Sequence, residues 1–464
     1  MTRLNKLAFF LICSTCIFTT LAYGTVHQPM IGVFYVIVTT LALLWAVDGL
    51  LGKDLKVSRS MLQVPLTVLG IYALVQAIGF GSVVGPDGTS EIPRTISLEP
   101  FATQVTALHM LSLAAFFSLA LVSLQSSGRL KRVATVITAF GFAYAFYAIL
   151  QAVLSPEKIY GVYKPLTAIP FGSFVNRNDF AAIMELTMSV PLGLIFTGAL
   201  HKDKRLLYAV ALALMGTTIL LSGSRGGLIA LISETILLII LTSRASGRNK
   251  VILKITLSAG LLLAAVGGAV FVGGDTSLTR LSDGSRSNDL TSNRSQIWKT
   301  TLTVIYDHLP LGAGLGAFPQ AYTQADPSAG LERVEQAHND YLQLLADAGI
   351  VGLILGALFL FWLIREGGRN VRVKNTFRRG IAVGASTGCS AVLIHSLFDF
   401  VLHITAVSVM FLTLMAMLVA AGREYPDDTD EYDRPTERER RRKLEVSSGK
   451  VVSIDERLPN RERS

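Results

Sequence analysis

The residues best suited to chemistry in this sequence lie in the segment 336–352, QAHNDYLQLLADAGIVG, where a polar start runs directly into an apolar stretch. A neutral imidazole can accept a proton from a hydroxyl near neutral pH, so His338 is a candidate general base. A hydrogen-bonded structural histidine is the alternative, and the spacing leaves both open. If the segment is helical, its 3.6-residue period places His338 on one face with Leu342 and Leu345. The helix would then hold the imidazole at the edge of a membrane.

Polar side chains that could support this histidine occur in two places. Asn339 and Asp340 follow it directly, and His395, Asp399 and His403 recur at intervals of four residues near the end of a later apolar stretch. The second set has a spacing that could hold a metal ion. Because neither an H-E-x-x-H pattern nor a cysteine accompanies it, we expect polar packing near the site and no metal.

Two arginines are predicted to lie where outer loops enter apolar segments. Arg177 stands in GSFVNRNDFAA, after Asn176, and Arg225 stands in the glycine-rich turn SGSRGG. A guanidinium beside free helix N–H groups suits phosphate oxygens. The alternatives are a helix N-cap by Asn178 with an interfacial arginine at the first position, and lipid headgroup contact by Arg225 at the second. The diphosphate of a lipid would satisfy both charges.

The longest polar segment, 274–346, carries a third candidate arginine. Arg294 and Trp298 lie one helical turn apart, which is typical of an amphipathic helix at a membrane interface. A glycine run follows at 312–316. No strand precedes this run and no phosphate-binding helix follows it, so it predicts a bend and not a nucleotide-binding loop.

The elements that position these residues are predicted to be membrane helices. The chain has 464 residues, of which 51% are hydrophobic and only 16% charged, and its mean hydropathy is +0.50. Such a composition excludes an ordinary water-soluble globule and predicts an all-α polytopic membrane protein with about twelve transmembrane helices. The predicted spans are 5–23, 30–51, 61–80, 105–125, 133–154, 179–200, 206–222, 226–242, 251–273, 347–364, 381–399 and 404–421. The three cysteines all lie in these spans and are expected to be packing residues.

Charge distribution predicts the orientation. Basic residues concentrate in the short loops on one side, so we expect both termini in the cytoplasm and the long loops 81–104, 155–178 and 274–346 outside. The net charge of +9 indicates contact with membrane lipids and not with nucleic acid. We predict a transmembrane domain over 1–421 and a charged cytoplasmic tail over 422–464, disordered or a surface helix.

Several stretches together resemble the O-antigen ligase and polymerase superfamily of bacterial envelope enzymes. They are FVNRNDFAA, SGSRGG, the stretch 294–318, HNDYLQLLADAGIVG and HSLFDFVLHI, in that order over residues 170–405. His338, Leu342 and Gly349 match the H-x3-L-x6-G signature of its loop. The resemblance implies a GT-C-like, metal-independent glycosyltransferase without a cofactor, in the bacterial inner membrane. Such an enzyme takes a glycan from undecaprenyl diphosphate on the periplasmic face and passes it to an acceptor hydroxyl.

By the same resemblance, Arg177, Arg225 and Arg294 are expected to hold the diphosphate, and His338 to activate the acceptor in an inverting transfer. The expected supporting residues are Asn176, Asn339, Asp340, His395, Asp399 and His403.

The acceptor is predicted less sharply than the donor. We favour lipid A core, as in an O-antigen ligase, because no added soluble domain is present for recognising a protein. A growing polysaccharide, as in a polymerase, and a protein side chain, as in an O-oligosaccharyltransferase, remain alternatives. A polysaccharide or lipid transporter is the alternative from another class, suggested by intramembrane Asp48, Glu185 and Glu234. It is disfavoured because the sequence shows no internal repeat.

Overall fold

A computed structural model describes residues 2–84, 88–89, 91–124, 126–165, 168–243, 248–273, 294–327, 330–331 and 333–423 of the chain. Fourteen α-helices lie within these residues. They are α1 (Arg3–Leu21), α2 (Gln28–Gly52), α3 (Gln63–Gln76), α4 (Pro100–Ser123), α5 (Ser127–Leu154), α6 (Arg177–Phe196), α7 (Lys202–Ser222), α8 (Arg225–Ser243), α9 (Arg248–Gly273), α10 (Arg294–His308), α11 (Phe318–Ala325), α12 (Asp340–Asn370), α13 (Thr376–His395) and α14 (Thr405–Ala421).

Little else is regular in the described residues. Two 3-10 turns span Tyr23–Thr25 and Val401–His403, and one small antiparallel hairpin pairs β1 (Ser82–Val84) with β2 (Glu91–Pro93). The predicted all-α polytopic fold is therefore confirmed.

A helix lies at each of the twelve predicted spans. Over the described residues, nine helices are long and apolar enough to cross a membrane by length and composition. Three of the helices at predicted spans do not meet this criterion. Two of them, α3 and α14, are apolar but shorter, with 14 and 17 residues. The third, α13, is rich in small residues, and its place is inside the bundle, against α6.

The centre of the bundle is formed by α6, α13 and α14. Every residue of α14 is buried, and 94% of the apolar window of α6 is buried. Close packing of α6 on α13 depends on glycine, because a Cβ added at Gly193 would lie 2.2 Å from the carbonyl oxygen of Gly380. Small residues let membrane helices approach closely in this way. The polar side chains at the ends of these helices are therefore held by a closely packed core.

The helix α12 contains a break at Gly349. This residue has φ +56° and ψ −144°, outside the helical region, and a Cβ there would lie 2.2 Å from the carbonyl oxygen of Pro310. The N–H of Ile350 donates to that oxygen at 2.9 Å. Only glycine fits both the backbone conformation and the close approach. The glycine of the H-x3-L-x6-G signature thus seats the preceding loop against the helix.

The prediction that His338 lies on a helical face with Leu342 and Leu345 is wrong. The helix starts at Asp340, and Asn339 is its N-cap, with its side-chain oxygen accepting from the N–H groups of Tyr341 and Leu342. His338 precedes the cap and has φ +51°. A positive φ is a turn conformation, so His338 lies in a bend before the helix. This bend, and not the helical period, sets the position of its imidazole.

The loop 294–346 is partly helical, as predicted, and residues 274–293 of the predicted loop lie outside the described residues. Arg294 and Trp298 both lie on α10, and the indole N–H of Trp298 donates to the carbonyl of Ala337 at 3.0 Å. The bend predicted at 312–316 is confirmed, since all three glycines there have positive φ. Residues up to Arg423 form one compact unit, and the rest of the predicted tail lies outside the described part of the chain.

Candidate active site

The candidate base His338 is paired with a carboxylate from the turn after α13. Its Nδ1 lies 2.9 Å from Oδ1 of Asp399, and its ring meets that of Phe400 edge to face at 4.9 Å between centroids. The side chain of His338 is 30% exposed, whereas that of Asp399 is 1% exposed. An accessible imidazole is therefore fixed by a buried acid.

Asp399 is held by donors from three further parts of the chain. Nη2 of Arg294 lies 3.1 Å from its Oδ2, the N–H of Phe400 donates to Oδ1 at 3.0 Å, and the side-chain amide of Asn178 donates to Oδ2. Arg294 also donates through Nη1 to the carbonyl of Phe398. Burial alone would raise the pKa of Asp399, but the hydrogen bond with His338 and the charge of Arg294 lower this pKa to about 2.

The ionised state of Asp399 determines the tautomer of His338. A carboxylate only accepts hydrogen bonds, so Nδ1 of the imidazole must carry the hydrogen that lies between them. Nε2 of the neutral ring then has a free lone pair. Within the described part of the chain, Nε2 has no hydrogen-bond partner. The arrangement is that of a base whose orientation and tautomer are set by an acid.

A second histidine–aspartate pair joins the same two segments, with the histidine now in the later segment and the aspartate in the earlier one. Nδ1 of His403 lies 2.6 Å from Oδ1 of Asp340, whose other carboxylate oxygen accepts from the N–H of Leu402 at 3.1 Å. The backbone N–H of Asp340 donates to the carbonyl of Ser396 at 3.0 Å. Desolvation would lower the pKa of His403, but the Asp340 carboxylate raises this pKa above its ordinary value of 6.5. The segments 338–340 and 396–403 are thus joined in both directions.

Neighbouring polar groups lock the start of α12 against the end of α13. The side-chain amide of Asn339 donates to the carbonyl of Leu397 at 2.9 Å, and the hydroxyl of Tyr341 donates to the carbonyl of Leu393 at 2.7 Å. Asn339 is therefore a cap and a tether at once. These contacts reduce the freedom of the backbone that carries His338.

His395 lies below this cluster and has its own acid. Its Nδ1 lies 2.9 Å from Oε1 of Glu185, and both side chains are at most 1% exposed. Sequence reasoning assigned Glu185 only to the transporter alternative. A carboxylate inside the apolar run of α6 was the available signal, since such a residue usually has a polar partner or a function.

The turn that carries Arg225 packs on the other edge of His395. A Cβ added at Gly226 would lie 2.7 Å from Nε2 of His395, and one added at Gly227 would lie 2.7 Å from the Cβ of Ala181. The two glycines therefore let the first turn of α8 contact α13 and α6. Arg225, the first residue of α8, is held at the same end of the bundle as Asp399.

Arg177 is the first residue of α6, and here the predicted cap needs correction. The N-cap is Asn176, not Asn178, since Oδ1 of Asn176 accepts from the N–H of Asn178 at 3.0 Å. Asn178 is then free to bind Asp399 with its side-chain amide, a contact that sequence reasoning missed. The backbone N–H of Arg177 donates to the carbonyl of Ile169 at 3.1 Å. The start of α6 therefore lies beside Asp399.

The regular spacing of His395, Asp399 and His403 is not the spacing of one helical face. The helix α13 ends at His395, Asp399 lies in the following turn and His403 ends a 3-10 turn. Each of the three has a different partner, respectively Glu185, His338 and Asp340. In the described part of the chain, no group of three or more His, Cys, Asp or Glu residues could hold a metal ion.

The sequence comparison agrees with the motif pattern. Residues 210–357, about a third of the chain, match a family model described as O-Antigen ligase. The matched range contains Arg225, Arg294 and His338, whereas Arg177 and Asp399 lie outside it. No curated protein matches the chain. The family match supports assignment to the O-antigen ligase and polymerase superfamily, which implies a glycosyltransferase-like enzyme in a multi-pass membrane protein, with lipid-linked glycan and polysaccharide substrates.

Proposed function

We propose that the protein transfers a glycan from undecaprenyl diphosphate to an acceptor hydroxyl on the periplasmic face of the bacterial inner membrane. The observation that carries this proposal is the His338–Asp399 pair, which leaves Nε2 of an accessible imidazole as a base. The superfamily match supports the class of reaction. Both termini of the transmembrane domain are then cytoplasmic.

The proposed reaction is a single displacement with inversion at the anomeric carbon. The acceptor oxygen attacks that carbon while its proton passes to Nε2 of His338, and the bond to the diphosphate oxygen breaks with its electron pair. A positioned base of this kind contributes typically about 10²–10⁴-fold to the rate. Asp399 stabilises the imidazolium that forms.

The departing diphosphate needs positive charge. Arg177 and Arg225 are the first residues of α6 and α8, so each guanidinium is accompanied by backbone N–H groups at a helix N-terminus. Such preorganised donors stabilise charge that develops on leaving oxygens. We assign the diphosphate to these two arginines.

Arg294 has a different proposed role from the one that the resemblance implied. Its guanidinium already donates to Asp399 and to the carbonyl of Phe398. These contacts favour a positioning residue that keeps Asp399 ionised and oriented. Direct diphosphate contact through its remaining exposed surface is the weaker alternative.

The acceptor that we propose is lipid A core, which makes the protein an O-antigen ligase. A polymerase, which extends a growing polysaccharide, uses the same donor chemistry and the same base. Protein O-glycosylation would also use them. The two His–Asp pairs favour all three of these transferases over a transporter, because they form a base with a defined tautomer and not a path across the bilayer.

The proposal is tested by glycan transfer with the purified protein and a lipid-linked donor. His338→Ala should reduce the initial rate by roughly 10²–10⁴-fold, because the base is lost. The matched control is His308→Ala, since His308 ends α10 in the same loop and its imidazole Nδ1 lies 2.9 Å from the carbonyl of Val304, within its own helix. Full activity of a folded His338→Ala protein would refute the proposed mechanism.

The acceptor is tested in the native cell by deleting the gene and separating surface glycans on a gel. Loss of long chains from lipopolysaccharide, with lipid-linked polymer accumulating, identifies a ligase. Accumulation of single repeat units identifies a polymerase. Unchanged surface glycans together with unchanged lipid-linked intermediates would contradict both.

A further inference from the structure

A basic cavity opens between the first turns of α1 and α5. Its volume is about 630 Å³. Its lining combines an apolar wall that includes Phe9 and Phe10 with four basic side chains, those of Lys6, Arg129, Lys131 and Arg132. The volume is within the range of sites that bind small ligands.

This basic cavity lies at the opposite end of the bundle from the candidate active site. The far end of α1 contacts the active-site end, because the carbonyl of Thr20 accepts from the hydroxyl of Ser173, shortly before the start of α6. Lys6 is about four helical turns earlier in α1, which corresponds to roughly 20 Å at 1.5 Å per residue. The cavity is therefore separate from the residues that the proposed function uses.

Arg129 forms the floor of the basic cavity and is only 2% exposed. Its guanidinium donates to the carbonyls of Ser123 at 2.6 Å and Asn5 at 3.0 Å, and it stacks over the ring of Phe9 at 4.9 Å. All of these partners are neutral, and Asp48 acts on it only from beyond ion-pair distance. Among the described residues, no carboxylate lies within 4.0 Å of this guanidinium. A buried cation without an adjacent anion is costly.

The apolar wall of the basic cavity is continuous with the lipid-facing surface of α1. Phe10 lines the cavity and is 63% exposed, and Leu7 on the same helix is 46% exposed. Exposed large apolar side chains on a membrane helix contact lipid chains. A ligand that fits the whole cavity therefore has an anionic head and an apolar tail.

We propose that the basic cavity binds an anionic phospholipid, with its phosphate between Arg129 and Arg132 and an acyl chain along Phe9 and Phe10. Basic pockets between transmembrane helices recognise phosphate headgroups in this way. In the orientation of the proposed function, this end faces the cytoplasmic leaflet, where anionic lipids are enriched. The phosphate supplies the negative charge that the surroundings of Arg129 lack. This site is independent of the proposed transfer reaction.

The test is lipid binding to the purified full-length protein, measured by native mass spectrometry with phosphatidylglycerol, phosphatidylethanolamine and inorganic phosphate as separate probes. Wild type should retain phosphatidylglycerol in preference to phosphatidylethanolamine. The double variant Lys131→Gln/Arg132→Gln should bind phosphatidylglycerol about thirtyfold more weakly, which corresponds to about 1 kcal/mol for each basic residue. Both side chains are exposed, so the variant keeps Arg129 and its packing.

The matched control is Lys202→Gln/Lys204→Gln, which removes the same charge from exposed residues at the start of α7, on the same face but outside the basic cavity. Its affinity for phosphatidylglycerol should equal that of wild type. Equal weakening in both double variants would indicate a general surface charge effect and overturn the site. Binding of inorganic phosphate as tight as that of phosphatidylglycerol would also overturn it, in favour of a free phosphate site.

Discussion

Asp399 lies 61 residues after His338 in the chain, yet it defines what that histidine can do. Arg294 and Asn178 both donate hydrogen bonds to Asp399, and these bonds stabilise its negative charge although the side chain is buried. The charge in turn keeps the hydrogen of His338 on Nδ1. A single residue therefore gives a partly exposed imidazole one defined tautomer, which is the form that the proposed base requires.

The change Asp399→Asn tests this dependence. An amide can donate as well as accept, so it permits the other tautomer, in which Nε2 carries the hydrogen and cannot accept the acceptor's proton. We expect the transfer rate to fall by roughly 10³–10⁴-fold, measured with the purified lipid-linked donor. Asp307→Asn, an exposed carboxylate on α10, serves as control and should keep wild-type activity. Equal rates for both variants would show that Asp399 does not set the base.

The second pair predicts a pH dependence of stability. Because the folded pKa of His403 is raised above 6.5 by Asp340, its contribution to stability is fully present below pH 6.5 and is lost as pH rises through the folded pKa. The melting temperature difference between wild type and His403→Gln should therefore shrink from pH 6 to pH 9 in a thermal shift assay.

Asp399 provides the comparison for this measurement. Its depressed pKa of about 2 makes its contribution complete above the ordinary value of about 3.9, and this contribution is lost only as pH falls toward 2. Asp399 itself therefore does not titrate between pH 6 and pH 9, so a change in the His403→Gln difference over this range does not come from protonation of Asp399. A difference for His403→Gln that does not change with pH would contradict the pairing with Asp340.

At the scale of elements, the site depends on how helices begin. The residues that begin α6, α8 and α12, with the turn after α13, meet at one end of the bundle. Capping by Asn176 and Asn339 fixes the residues at which α6 and α12 begin. The glycines of the SGSRGG turn remove the side chains that would keep α8 away from His395. Helix starts suit this role because the positive end of the helix dipole attracts anions.

The break in α12 is tested by Gly349→Ala. The positive φ alone should lower the free energy of unfolding by about 1–3 kcal/mol, and the clash with the carbonyl of Pro310 adds to this loss. The rate of glycan transfer should also fall, because the loop 310–316 would lose its close contact with α12. Gly368→Ala, in the same helix with nothing within 4 Å, should be neutral or slightly stabilising. Similar melting temperatures for the two variants would show that position 349 accepts a side chain without loss of stability.

At the scale of the whole molecule, the fold separates two ends with different chemistry. One end holds the candidate active site, with its two His–Asp pairs and the starts of α6, α8 and α12. The opposite end holds the basic cavity between α1 and α5. The buried helices α6 and α14 connect them. This polarity is what the proposed orientation requires, with sugar chemistry on one face and anionic lipid on the other.

Cysteine labelling tests the orientation, in a chain whose three native cysteines are replaced by alanine. Glu157 is exposed between α5 and α6, on the active-site side, and Lys202 is exposed at the opposite end. In cells with a permeable outer membrane, an impermeant maleimide should label Glu157→Cys directly. It should label Lys202→Cys only after the inner membrane is broken. The reverse pattern would place the site in the cytoplasm.

The all-α membrane fold, the positions of the twelve predicted helices and most of the polar residues at the site could be predicted from the amino-acid sequence. Helix formation across a membrane depends on the composition of a window of about twenty residues, and such windows are read directly from the chain. The same holds for the bend at 312–316, since glycine is a local signal.

Which of those residues contact one another depends on how the helices pack. The partners His338 and Asp399 are 61 residues apart, Asn178 and Asp399 are 221 apart, and Glu185 and His395 are 210 apart. No local period encodes these distances. They follow from the packing of α6, α8, α12 and α13 at one end of the bundle, which also moved His338 off its predicted helical face. Whether an imidazole is a base depends on the acid beside Nδ1, and that acid is supplied by packing between helices rather than by neighbours in the chain.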